Sequence, residues 1–130
     1  MIESRSSGAS GQVCVAGSRL LVQRTVHQEF VERLQRVTEG LRVGDPLDLA
    51  SDIGAVSSAR QLARNQAMLT QALGQGAQLR CGGQSIAPVP GGFYMRPALL
   101  DAVRPEMDIA RQEVFGPVLA VTPFDDEAEA

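Results

Sequence analysis

Residues Arg19 to Leu41 read RLLVQ-RTVHQEFVERLQRVTEG-L, a short apolar run followed at once by a periodic amphipathic stretch. Arg19 to Gln23 predicts a buried strand. From Thr25 the pattern changes. Phe30, Leu34, Val37 and Leu41 recur at spacings of four, three and four, which places them on one face of a helix. Thr25 with Gln28 fits a capping box, each side chain serving a free N–H of the first turn. Glu29/Arg33 and Glu32/Arg36 form i,i+4 pairs on the outer side, and Gly40 is a natural stop.

The same grammar repeats downstream. After a turn-rich connection, VGDPLDLASDIGAV, a second helix is predicted from Ser58 to Leu73. Ser58 and Gln61 make its capping box, and Leu62, Leu69 and Leu73 its buried stripe. Gly74 and Gly76 end it. Gln78 to Cys81 predicts a short strand closed by Gly82-Gly83, and Ser85 to Gly92 a loop. Phe93 to Met95 is expected to pair at a sheet edge before Pro97. Asp101 to Asp108 reads as loop, Phe115-Gly116-Pro117 as a turn, and Val118 to Val121 as a second buried strand. Phe124 onward starts a helix with a capping Asp and acidic first-turn residues. One turn does not repay the cost of nucleation, so the pattern predicts a chain cut short at its C-terminus. Strands alternating with helices give an α/β class with a mostly parallel sheet and flanking helices.

Composition bounds the function. At 130 residues the chain is one domain's worth of sequence. The net charge is -3 and the twelve basic residues, all Arg, are scattered, which excludes the clustered positive charge of a nucleic-acid groove. No apolar run approaches the ~18 residues of a membrane-spanning helix. The first ten residues predict a flexible leader, and Met1 to Gln12, polar and Ser/Gly-rich, lacks the apolar segment of a signal peptide. The two cysteines, Cys14 and Cys81, are too few for a secreted disulfide scaffold, so a reducing, cytoplasmic setting is expected. His27, the only histidine, sits in a helix's first turn, where a surface or capping role is expected. Two Cys and one His at these separations fit no zinc pattern, and no metal is expected.

Cys14 lies in Gly11-Gln12-Val13-Cys14-Val15-Ala16-Gly17-Ser18-Arg19. Taken alone, a cysteine among small apolar residues reads as a packed, inert thiol. The wider pattern points elsewhere. GQVCVAGSR before a strand and a long amphipathic helix resembles the nucleophile segment of the aldehyde dehydrogenase superfamily. Further matches follow in family order: Val43-Gly44-Asp45-Pro46-Leu47-Asp48, Ile53-Gly54, Gly76-Ala77 with Gly82-Gly83, Gly92-Phe93-Tyr94 with Arg96-Pro97, and Gln112-Glu113-Val114-Phe115-Gly116-Pro117-Val118. The first and last of these are specific, and the resemblance covers Gly11 to the C-terminus.

The resemblance implies residues 1–10 as leader and residues 11–130 as a partial aldehyde-dehydrogenase-like catalytic domain, incomplete at both ends. It implies Cys14 as the nucleophile toward a small-molecule aldehyde, through a thiohemiacetal and a thioester, with the Cys14 N–H helping to hold the oxyanion. It implies NAD or NADP as cofactor, Glu113 on the nicotinamide-ribose hydroxyls and Phe115 beside the nicotinamide. A homo-oligomeric parent enzyme is implied too, with no nucleic-acid or membrane partner. The sequence also departs from the family. Ser6 to Ser10 replaces the usual aromatic residues and Asn before G-Q, and Gln112 stands where a second Glu is common. The family's general-base Glu, its oxyanion-hole Asn and a nucleotide-binding domain have no counterpart, and no G-x-G-x-x-G follows a strand here. The chain alone is therefore expected to be inactive as a dehydrogenase. The rival expectation is a non-enzymatic derivative serving as an interaction or regulatory piece.

Overall fold

A computed structural model describes residues 8–130. Residues 1–7 of the expected leader lie outside the described residues. Gly8–Gly11 form a 3-10 turn, and Ser10, the last leader residue, is buried within it.

Six strands and three helices follow: β1 (Arg19–Gln23), α1 (Arg24–Gly40), α2 (Ala59–Gly74), β2 (Gln78–Cys81), β3 (Ser85–Ile86), β4 (Tyr94–Met95), β5 (Ala98–Asp101), α3 (Asp108–Arg111) and β6 (Val118–Phe124). The main sheet has the order β1-β6-β5-β2. β6 runs parallel to both β1 and β5, and β2 is antiparallel to β5. The antiparallel step has a simple cause. A parallel return needs a long crossover, usually a helix, and the chain between β2 and β5 holds only the two-residue strands of the separate β3-β4 ribbon. The fold is thus α/β with a mostly parallel sheet, as the sequence pattern indicates.

The central strands β5 and β6 are buried on both faces. Leu99, Leu119 and Val121 face Val22 and Val31, with Phe30 and Leu34 of α1 packed alongside. Ala98, Leu100, Val118 and Ala120 face the other way, onto Met68, Leu69 and Ala72 of α2. Period-two alternation therefore delivers each strand to two separate cores. Val118 to Val121 is the expected strand, prolonged to Phe124. Pro123 is tolerated because β5 pairs only with residues 118–120, leaving Pro123 with β1 as its single neighbour.

Several expectations are corrected in detail. α1 starts at Arg24, its N-cap is Gln23, and no side chain caps it, so the Thr25/Gln28 box does not form. Gln28 instead donates to Glu32 at 3.2 Å. The buried stripe of α1 is centred on Val31, with Val37 at its exposed edge. In α2 the Ser58 cap forms, its hydroxyl accepting from the Gln61 N–H at 3.1 Å. The buried stripe there is Asn65, Met68, Leu69 and Ala72, while Leu73 is exposed. Tyr94–Met95 does pair as an edge strand, with Ser85–Ile86 in a separate ribbon, and Phe93 stands outside it. After Phe124 the chain makes a turn rather than a helix. The Asp126 carboxylate caps it, accepting from Ala128 N at 3.0 Å and Glu129 N at 3.2 Å. Among the described residues no helix is long and apolar enough to cross a membrane.

Candidate active site

The segment bearing Cys14 enters β1 through a tight turn, with Ala16 N–H donating to Val13 O at 2.8 Å. Cys14 is exposed, flanked by exposed Val13 and Val15. Cys14 is therefore not the packed thiol that the local composition suggests.

Three anchors hold the segment. Ser10 Oγ donates to Gly54 O at 2.9 Å. Gln12 Oε1 accepts from Ser57 N–H at 2.9 Å. Between them Gly11, at φ +70°, lies flat against Gly116: a Cβ on Gly11 would come within 2.7 Å of the Gly116 carbonyl carbon. Only glycine combines that backbone conformation with so close an approach.

Gly116 belongs to the second specific motif. The turn it closes is fixed from α2. Arg64 donates to Glu113 O at 2.9 Å, and Gln61 donates to Val114 O at 2.9 Å. Val114 is buried, anchoring the turn in the α2-side core. The Glu113 side chain is exposed and Phe115 is half-buried at φ +57°. The structure thus brings the Cys14 segment and the Glu113–Phe115 turn together at the Gly11–Gly116 contact, although about one hundred residues separate them.

The other thiol differs. Cys81 is half-buried on β2, beside Thr38, Glu39 and Arg96 around a cavity of about 220 Å³. Burial, then the Glu39 charge, pushes its pKa up, against smaller opposing effects of the Leu99 main chain and Arg80. A raised pKa lowers its thiolate fraction at any given pH. His27 is not a surface or capping residue. Its Nε2 meets Asp101 Oδ1 across the α1–β5 junction.

Sequence reasoning missed Asn65. It is completely buried on α2, with its amide head against Gly116. The same head lies 3.0 Å from Val114 O, within reach of its amide nitrogen as donor. The available signal was a polar residue inside the apolar stripe that runs from Leu62 to Leu69.

The sequence model of the aldehyde dehydrogenase family matches residues 1–130, and so includes the ten residues set apart as leader. The chain is 43% identical over 122 residues to a betaine aldehyde dehydrogenase of Rhizobium etli, covering 93% of this chain and 25% of that protein. It is 37% identical over 124 residues to a 2-aminomuconic semialdehyde dehydrogenase of Danio rerio, covering 92% and 26%. Among solved structures, a Mycobacterium tuberculosis aldehyde dehydrogenase complexed with NAD+ superposes with a TM-score of 0.94 at 34% identity, over 99% of this chain and 27% of that one. The chain spans about a quarter of the length of these relatives.

Proposed function

This chain belongs to the aldehyde dehydrogenase family, and we propose that it carries the nucleophile and the nicotinamide-facing part of a site that oxidises an aldehyde to a carboxylic acid. The observation that carries this reading is the contact of Gly11 with Gly116, which sets exposed Cys14 and the Glu113–Phe115 turn in one neighbourhood.

Cys14 Sγ adds as thiolate to the aldehyde carbonyl carbon, and the carbonyl oxygen takes the negative charge of the thiohemiacetal. The Cys14 N–H donates to that oxygen; losing one oxyanion-hole donor typically costs about 2.7–4 kcal/mol of barrier reduction. The residues present fit one end of a nicotinamide dinucleotide. Glu113, whose side chain is exposed, would accept from the ribose hydroxyls, and half-buried Phe115 would offer an apolar surface to the nicotinamide. When bound, NAD or NADP would supply the hydride acceptor for oxidation of the thiohemiacetal to a thioester. Water then releases the acid and returns the Cys14 thiol. The three anchors at Ser10, Gly11 and Gln12 hold the Cys14 main chain in place throughout.

The test uses limiting iodoacetamide with and without a small aliphatic aldehyde such as propanal, with labels mapped by mass spectrometry. Cys14 is expected to label ahead of Cys81, and propanal to slow labelling at Cys14 alone. Preferential labelling of Cys81, or no protection by aldehyde, would overturn the proposal.

A further inference from the structure

Asn65 is the one polar side chain of α2 that is wholly buried. It sits directly under Gly116, where a Cβ would come within 2.7 Å of the Asn65 Cγ. Gly116 in turn sits under Gly11. Three residues from three distant parts of the chain therefore stack without any side chain between the amide and the backbone of the Cys14 segment. Met95 Sδ, 3.6 Å from the amide head, closes a further side. The amide lies against Val114 O on the same turn, so it touches both ends of the residue pair that flanks Phe115.

An apolar residue would be the ordinary occupant of such a position, since a buried amide is costly unless its partners are supplied. One partner is Gln61, a turn earlier on α2, whose side-chain amide lies 2.7 Å from the Asn65 head; the other polar neighbours, Val114 O and Met95 Sδ, are on the turn or beside it. Arg64 and Gln61 also hold that turn, but through half-buried or exposed contacts at its outer side. Asn65 alone acts from beneath, at the level of the Gly11 contact.

We propose that Asn65 is a positioning residue that couples the Glu113–Phe115 turn to the Cys14 segment, by fixing Gly116 between its amide and Gly11. This rests on the reading of Cys14 as nucleophile only for its chemical consequence; the coupling itself is a property of the packing. A change at Asn65 lets Gly116 shift, and both segments loosen together although Asn65 touches only one of them.

The test compares the full chain with Asn65→Leu, which keeps the bulk, and Asn65→Ser, which keeps a polar group. Segment-resolved amide exchange is expected to rise by about tenfold in residues 12–17 and in residues 113–116 together, with Val31 to Leu34 of α1 unchanged. Propanal protection of Cys14 is expected to fall in parallel, while Cys81 labelling stays as in the parent chain. A rise confined to residues 113–116 would show that no coupling passes through Gly116 and would overturn the proposal. So would a uniform rise that includes α1 and Cys81 in both variants, which would make Asn65 a folding residue only. Loss of protection already in the parent chain would count against the nucleophile reading, and the exchange pattern would still decide the coupling.

Discussion

His27 Nε2 lies 2.7 Å from Asp101 Oδ1, joining the first turn of α1 to the end of β5. Asp101 is 5% exposed, and the same oxygen accepts from the Ala102 N–H at 2.7 Å, where the chain turns at φ +53°. The carboxylate thus serves both the turn that ends β5 and the helix that covers it. His27→Ala leaves this buried oxygen one partner short. A stability loss of about 1.5–3 kcal/mol is expected, the range for hydrogen bonds to charged groups. Urea unfolding measures it, and a loss below about 0.5 kcal/mol would place the pair among ordinary surface contacts.

The two helix starts predict opposite outcomes for similar substitutions. Ser58 caps α2 through its hydroxyl, so Ser58→Ala is expected to cost about 1 kcal/mol. Thr25 lies inside α1, exposed and capping nothing, so Thr25→Ala is expected to stay within about 0.5 kcal/mol. Thermal unfolding of the two variants side by side separates the cases. Equal losses would mean that Thr25 caps α1 after all.

That contrast shows what the sequence makes legible. β1 and β2 are read with their observed bounds, β1 because its apolar run gives way at once to a helical period, and β2 because glycines bracket it at Gly76 and Gly82-Gly83. Both helices are read from their stripes, but the capping pattern is ambiguous: S/T-x-x-Q occurs once as a cap, at Ser58, and once within a helix, at Thr25. β5 is invisible to period-two reasoning, since all four of its residues are buried and Pro97 sits directly before it. Only its long-range partners, β6 and β2, make Ala98–Asp101 a strand. At the site, Cys14, Glu113 and Phe115 are legible from motifs. The contacts of Gly11 with Gly116 and of Gly116 with Asn65 are not, because contact across such a separation leaves no local pattern.

The Gly11 contact makes a prediction of its own. Gly11→Ala places a methyl group against the Gly116 carbonyl and a side chain at φ +70°. A loss of about 1–3 kcal/mol is expected from the backbone conformation alone. Gly17, in the same segment, has nothing within 4 Å of its Cβ position. Gly17→Ala is therefore expected to be neutral or to stabilise by about 0.4–1 kcal/mol through the unfolded chain. Denaturant midpoints for the pair check this, and a Gly11→Ala chain as stable as the parent would dissolve the contact on which the site's assembly depends.

The Cys81 thiol carries a pH signature of its own. Burial is the main cause that raises the Cys81 pKa, with the Glu39 charge adding to it. A raised thiol pKa means less thiolate at any given pH, so the rise of Cys81 alkylation with pH sets in later in the folded chain than in urea. The linkage has the matching sign. The folded state holds this proton longer than the unfolded state, so the contribution is fully present below the unfolded thiol's pKa and is lost as pH climbs through the folded one. Glu39→Gln removes the second cause and leaves the first. It is expected to bring the onset of Cys81 labelling part of the way down toward the unfolded value, with Cys14 labelling unchanged. A pH series of iodoacetamide labelling, read separately at the two cysteines, decides it. A folded-state onset for Cys81 at or below that in urea would show that the β2 thiol is solvated, and that α1 does not cover this end of the sheet.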